Sequence, residues 1–513
     1  MKACASRQEK PSFCHNNGAA QPARIGHPRR FVPGGENQLA GPAHLPTPAQ
    51  WNFSARLFVT LNNMEPPYSK SWVEAQVAQA IELWNGCASR SVPPCPRYTP
   101  HEQHTHEKAY DKGLRDVQRQ ARRAPRNPAE RLLAQQRIVA LFPGFAATAL
   151  GIESQAVQLL TNSFLPVATQ LARWARSFDA TLSMDDTIQA CRNAWTSCGL
   201  QALLGQPMEL TPSILAYSLL YPYSDNYLDR SGVSTANKLH FSRRFRQRLC
   251  GQRLSACNPH EAAVWALVRL IEEQFPRPHY GQVFDCLLAI HGAQEQSIAQ
   301  LKNGGRCHNS VDNCEVLRIS CAKGGTSVLA DACLAQPWLT QEESRFSFEW
   351  GVLLQLGDDL QDVREDLRRG SATLFTRAAA QGKPLDSLVM QLLNLSHQVA
   401  GRMDRLPNGT PALKNLLRMS WRSLILMAVA DAHQFFSPPF LAELEPFSSF
   451  RFNFLRARNE KLTGHHAVYA ALFDAFLEAG AGDQSGIPLP GESSLAPDLQ
   501  AVAELPALCN SFA

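Results

Sequence analysis

The chain has 513 residues, 44% of them apolar and 19% charged, with a formal net charge of +5. That length holds one large domain or two to three average ones, with enough apolar material for a sizeable core. So small a net charge, without a basic stripe, argues against nucleic acid as a partner. No apolar run approaches the roughly 18 residues of a membrane helix, and "LILMAVA" at Leu424 to Ala430 is among the longest. Fourteen cysteines occur without a Cys-x-x-Cys pair, and several stand seven apart, as do Cys307, Cys314 and Cys321. Zinc knuckles use tighter spacing, and the N-terminus carries no apolar signal segment. The expectation is reduced, mostly buried thiols in a soluble cytoplasmic protein.

In chain order, residues 1–50 are rich in Pro, Gly, Asn and Arg and poor in large aliphatics. Such a segment buries too little apolar area to offset its ordering entropy, so a disordered extension is expected. Residues 51–130 read as a mixed segment with one helix at Ser71 to Trp84. Its cluster "HEQHTHEK", with His101, His104 and His106, reads as a solvated loop rather than a zinc site, because no cysteine or spaced carboxylate completes a ligand set.

From Arg131 the character changes. Helical periodicity runs through "AVQLLTNSFLPVATQLARWARSF", "SILAYSLLYPYSDNYLD", "EVLRISCAKGGTSVLADACL" and "EESRFSFEWGVLLQLGDDLQDVREDL" to "HAVYAALFDAFLEAG". Pro276, Pro337, Pro438 and Pro439 fall between elements, where helix ends belong. No stretch alternates as a strand. The pattern predicts one all-α domain over 131–480, a large bundle of roughly ten or eleven helices, followed by a polar tail at 481–513. Helices that are apolar almost all round belong at its centre.

Two acidic segments stand out. In "LLQLGDDLQDVREDLRRG", Asp358, Asp362 and Asp366 fall at i, i+4 and i+8 and share a helix face. Each like-charge i, i+4 pair costs a helix roughly 0.2–0.5 kcal/mol, more if the face is buried, and the preceding "WGVLLQL" points into a core. A multivalent cation is the natural neutraliser. Oxygen-only ligands suit Mg²⁺, which is usually shared with substrate phosphates. The second segment, "YSDNYLDR", carries Asp225, Asn226 and Asp229 at the end of another apolar helix.

The pair resembles the two aspartate-rich motifs of the class I isoprenoid synthases. "LLQLGDDLQD" is similar to the Phe-Gln-x-x-Asp-Asp-x-x-Asp motif of trans-isoprenyl diphosphate synthases, with Leu354 where Phe is usual and Gln355 in place. Asp358, Asp362 and Asp366 also fit the looser terpene-cyclase metal triad. "SCAKGGTSVLADACL" sits where the synthases carry a diphosphate-contacting lysine, which makes Lys323 the counterpart. The resemblance covers about residues 150–440. It implies a class I terpenoid synthase fold with Mg²⁺ held by Asp225, Asn226, Asp229, Asp358, Asp359, Asp362 and Asp366. Of these, Asp225, Asp229, Asp358 and Asp362 carry the catalysis. Lys323, Arg230 and Gln355 contact the substrate diphosphate.

The Gly-Lys-Arg segment and the Arg-Arg-Gly after the first motif, which chain-elongating synthases use, have no counterpart; Arg243 and Arg244 are too distant. With one diphosphate pocket, the implied activity is that of a terpene synthase, which ionises one prenyl diphosphate and cyclises the cation, most like the large bacterial enzymes. The alternatives are a prenyl diphosphate synthase and a non-catalytic helical binding scaffold. Tyr217, Tyr221 and Trp350, one and two turns before the motifs, are expected to line an apolar cavity and face the cation. His291 reads as structural, so no general base is assigned. Expected partners are a prenyl diphosphate and no nucleic acid, with a homodimer left open.

Overall fold

The helical period of the sequence is what the chain adopts: in the computed structural model, every regular element among the described residues is helical. The structure describes residues 67–122, 133, 136–230, 232–302 and 313–464. The expected extension at 1–50, the tail at 481–513 and the helix expected at His466 to Gly480 lie outside the described residues.

The helices are α1 (Lys70–Asn85), α2 (Pro100–Arg122), α3 (Phe142–Ala149), α4 (Ser154–Leu159), α5 (Leu165–Phe178), α6 (Met184–Leu203) and α7 (Pro212–Asp229). They continue as α8 (Thr235–Leu249), α9 (Pro259–Gln274), α10 (Gly281–Lys302), α11 (Asn313–Ala335) and α12 (Gln341–Gln361). The last are α13 (Val363–Arg369), α14 (Leu374–Ala380), α15 (Asp386–Arg405), α16 (Pro411–Asp431), α17 (Pro438–Leu444) and α18 (Phe452–Gly464).

Local sequence explains where these helices start. Ser183 and Thr340 cap α6 and α12 through reciprocal boxes with Asp186 and Glu343. The same device overturns one expectation. "HEQHTHEK" is not a loop but the first turns of α2: Thr99 and Glu102 exchange cap hydrogen bonds around Pro100 (Thr99 N to Glu102 Oε2, 2.7 Å). His106 then packs edge-on against Tyr98 and Phe450.

α11 is the central helix, buried on nearly every side. It packs against α12, α10, α6 and α1. Its contact with α12 is a backbone contact. A Cβ placed on Gly351 would lie 2.0 Å from the Gly324 carbonyl oxygen, and one on Gly324 would lie 2.4 Å from that of Gly351. A Cβ on Gly325 would enter the Phe348 ring at 2.4 Å. The glycines of "AKGGTS" and "EWGVL" therefore set how closely the two helices approach, and with it the separation of the side chains they carry.

The segment read as mixed belongs to the same core. Val77, Ala80 and Trp84 of α1 are buried with the bundle residues, Trp72 meets Phe348 edge-on at 6.0 Å, and Tyr68 Oη lies 3.2 Å from Ser344 Oγ. The domain boundary expected at 131 thus moves back to at least Tyr68. α2 is tied to the far end of the chain: Gln103 donates to the carbonyls of Glu445 and Ser448, and Arg451 pairs with Glu107.

Candidate active site

Helices α6, α7, α11, α12, α13, α16 and α18 all bring polar side chains to one cavity of about 1140 Å³. That exceeds the roughly 300–1,000 Å³ of typical small-molecule sites, so it accommodates a long ligand. α12 contributes the first acidic wall. Its regular geometry ends at Asp362 (φ −89°, ψ 4°), and α13 follows directly and stops at Gly370, whose φ of 73° is the left-handed turn glycine adopts freely. The expected single helix is thus interrupted. The backbone bonds nevertheless continue from Asp362 N to Asp358 O and from Asp366 N to Asp362 O, each 2.9 Å. The i, i+4, i+8 register therefore survives, and Asp358, Asp362 and Asp366 all line the cavity, with Glu365 beside them.

Asp359 also lines the cavity, but with hydrogen-bond partners of its own. One residue on from Asp358, it is turned by about 100° around the helix and packs against α11. Ser320 Oγ donates to its Oδ2 at 2.7 Å and Gln355 Nε2 to its Oδ1 at 2.8 Å. Burial pushes its carboxyl up to about 6, against the pull of the Gln355 and Ser320 hydrogen bonds. Asp359 thus meets the cavity as a hydrogen-bonded carboxyl, held by Ser320 and by Gln355, the residue expected on the diphosphate, which lines the cavity as well.

The opposing wall is the C-terminal end of α7. Asp225 is buried and lines the cavity. Lys323, on α11 between the two walls, places its Nζ 3.3 Å from both carboxylate oxygens of Asp225. Asn226 also lines the cavity, and its amide donates to Asp186 Oδ1 and Gln189 Oε1, both at 3.0 Å. Asp229 is the last residue of α7, and its side chain lies outside the described set. Arg230 is exposed at the cavity rim. Its charge adds to burial in holding the His260 imidazole down to about 4. Arg243 and Arg244 do not line the cavity, and Arg244 is engaged by Glu261.

Sequence reading missed a third acidic contribution, the start of α6, where Asp185, Asp186, Gln189, Arg192 and Asn193 line the same cavity. The signal was hidden because "SMDD" is also a helix-capping sequence, and Asp186 does cap Ser183 (Oγ to Oδ2, 2.6 Å). Much of the remaining lining is apolar or aromatic. Tyr221 and Trp350 are there as expected, and so is Trp421, 5.4 Å from Trp350. Tyr217 is not: its hydroxyl donates to the Ser327 carbonyl at 3.0 Å and it faces a small adjoining cavity. His291 is buried against the Ser242 carbonyl (3.0 Å), in keeping with a structural role.

The carboxylate and carbonyl donors at the mouth are all oxygens, the set that suits Mg²⁺. They do not converge tightly on one point. Among the described residues, the one group of three such ligands with donor atoms within 4.8 Å of one another is His240, Cys257 and Glu261, none of which lines the cavity. Glu261 there is already occupied by the Arg244 guanidinium at 2.8 and 3.0 Å and by the Cys257 amide at 2.8 Å, so an added cation would face a resident one. Separated carboxylates on facing walls suit ions held by one or two carboxylates each and completed by phosphate oxygens and water.

No family model, no curated protein and no solved structure matches the chain. What the chain does is therefore a question of the site's own chemistry.

Proposed function

We propose that this chain is a terpene synthase of the class I isoprenoid type, which releases diphosphate from a long prenyl diphosphate and cyclises or rearranges the resulting cation. The observation that carries the reading is one cavity with two kinds of lining. Its lining includes the charged side chains of Asp225, Lys323, Asp358, Asp362 and Asp366 and the rings of Tyr221, Trp350 and Trp421, the two tryptophans almost wholly buried. A diphosphate is the ligand that needs both cations and carboxylate-bound metal, and an isoprenoid chain is the ligand that needs the apolar depth.

Within this reading, Asp225, Asp358, Asp362 and Asp366 hold Mg²⁺ around the diphosphate, which supplies Lewis-acid neutralisation of the leaving group. Lys323 adds charge-assisted hydrogen bonds to the diphosphate oxygens and gives up part of its contact with Asp225 as it does so. Asp359, fixed by Ser320 and Gln355, holds the end of α12 in register with α11. The aromatic walls exclude water and face the cation with their ring planes, worth roughly 0.5–2 kcal/mol each. The test is incubation with Mg²⁺ and prenyl diphosphates of ten to thirty-five carbons, with diphosphate release and product mass as readouts.

A second reading, a prenyltransferase that joins two prenyl diphosphates, draws on one observation. Arg192, Arg369, Arg422 and Arg456 also line the cavity, and none belongs to the motifs that elongating synthases use. Isotopically labelled isopentenyl diphosphate separates the two. Label in a longer prenyl chain favours the transferase, and an unlabelled hydrocarbon favours the cyclase. With no diphosphate release in either incubation, the helical-scaffold reading gains.

A further inference from the structure

Three turns of α11 run along the cavity wall. Lys323, Ser327 and Asp331 stand at i, i+4 and i+8, and all three line the cavity. Lys323 is at the acidic mouth; Asp331 lies about 12 Å further along the helix axis, only 1% exposed. One of its carboxylate oxygens is held: Ser197 Oγ donates to Oδ1 at 2.6 Å and Asn193 Nδ2 at 2.9 Å. Asn193 is itself placed by Ser218, to whose Oγ it donates at 3.1 Å. The other oxygen, Oδ2, is buried and has no hydrogen-bond partner among the described residues. A buried carboxyl oxygen left without a partner loses hydration that nothing in the protein restores, which a purely structural acid would avoid.

We propose that Asp331 is the base that ends the reaction, its Oδ2 taking a proton from the carbon next to the cationic centre of the substrate. This rests on the terpene synthase reading above. In the step, a C–H bond breaks, its electron pair closes a carbon–carbon double bond, and the proton forms Oδ2–H. The released diphosphate stays at the mouth, and the proton passes to solvent when the product leaves. Among the described residues no histidine lines the cavity, and the other lining carboxylates belong to the acidic helix ends or to Asp431 at the end of α16. Asp331 is thus the basic group placed along the chain rather than at the diphosphate. Burial pushes its carboxyl up to about 7, while Ser197 and Asn193 pull the other way, so near neutrality it both accepts and returns a proton.

The position of Asp331 was visible in "TSVLADACL", but there it reads as one acid in an apolar helix. Only the fold puts it eight residues below Lys323 on the cavity face.

The experiment compares wild type, Asp331→Asn and Asp331→Glu on the prenyl diphosphate that the wild type turns over fastest, with Mg²⁺. Diphosphate release, product identity by mass spectrometry and the thermal midpoint are recorded for each. Asp331→Asn keeps the shape and the Oδ1 acceptor but removes the base. The alkene formed per diphosphate released is expected to fall roughly 100-fold, replaced by alcohols from water capture or by isomers deprotonated elsewhere. Asp331→Glu keeps a carboxyl displaced by one methylene and is expected to move the double bond. An unchanged alkene-to-diphosphate ratio and an unchanged double-bond position in the folded variants would overturn the proposal. So would a wild-type product that is an alcohol, or loss of the fold in both variants, which would make Asp331 structural. A wild type that releases no diphosphate from any substrate would bring down the terpene synthase reading itself, a different outcome from release with an unaltered product.

Discussion

Lys323 Nζ stands 3.3 Å from both carboxylate oxygens of Asp225, so in this structure the lysine is the counter-ion of the α7 acidic end. Both side chains are mostly buried, at 20% and 11% exposure. Removing one partner of such a pair leaves the other charged and poorly solvated. Lys323→Ala is therefore expected to cost roughly 1–3 kcal/mol of stability, less than a fully dry pair would. Millimolar Mg²⁺ is expected to restore part of that loss by neutralising Asp225 in the lysine's place. Thermal denaturation with and without Mg²⁺ measures both. Equal Mg²⁺ responses in Lys323→Ala and wild type would show that no ion reaches Asp225.

The other wall behaves in the opposite sense. Asp358, Asp362 and Asp366 carry like charges one helical turn apart. Asp358→Ala is expected to leave the metal-free protein as stable as wild type or more stable by roughly 0.2–0.5 kcal/mol. Diphosphate release is expected to drop below detection, as it is in Asp225→Ala, with the helical circular dichroism signal unchanged. If Asp358→Ala unfolds the bundle, the carboxylate is a structural group and the site has been misplaced.

Gly351 offers a packing test. A Cβ there meets a carbonyl of α11 at 2.0 Å, and backbone cannot rotate aside as a side chain can. Gly351→Ala should cost more than the roughly 1–3 kcal/mol of ordinary overpacking. It should also impair diphosphate release, because α11 carries Lys323 and α12 carries Asp358. Urea denaturation gives the first effect. A variant of wild-type stability would mean that α11 and α12 do not touch through their glycines.

Asp331 makes stability depend on pH with a defined sign. Its carboxyl is raised from the ordinary 3.8 to about 7 in the folded chain by burial. The folded state therefore holds this proton more tightly than the unfolded state. Its contribution is fully present below about 4, is lost as pH rises toward 7, and is flat above. Asp331→Asn removes the dependence, so the variant is expected to gain on wild type from pH 4 to pH 8 by an amount on the order of 4 kcal/mol. Parallel stability curves across that range would show that Asp331 titrates normally.

The all-helical fold was legible because the apolar period is long and the breakers fall between elements. So were the carboxylates at the ends of α7 and α12, since like charge concentrated after an apolar run calls for a neutralising cation. Other features were hidden by local chemistry. Asp185 and Asp186 look like an ordinary helix start, and the histidines of α2 read as loop because the Thr99 and Glu102 cap straddles Pro100. Asp359 and Gln355 read as ligands, but the hydrogen bond from Ser320 that holds Asp359 was not legible, because only the approach of α11 brings Ser320 within 2.7 Å. Trp421 and Asp331 belong to helices whose cavity-facing side a sequence period alone does not single out, since α11 is buried nearly all round.

The most direct measurement of the central claim is diphosphate release by the full chain from a panel of prenyl diphosphates of ten to thirty-five carbons, with Mg²⁺ and with a chelator. Mg²⁺-dependent release from at least one long-chain member is expected, with a terpene hydrocarbon or alcohol as the organic product and no release with the chelator. A folded protein that releases no diphosphate from any member of the panel in the presence of Mg²⁺ would contradict it.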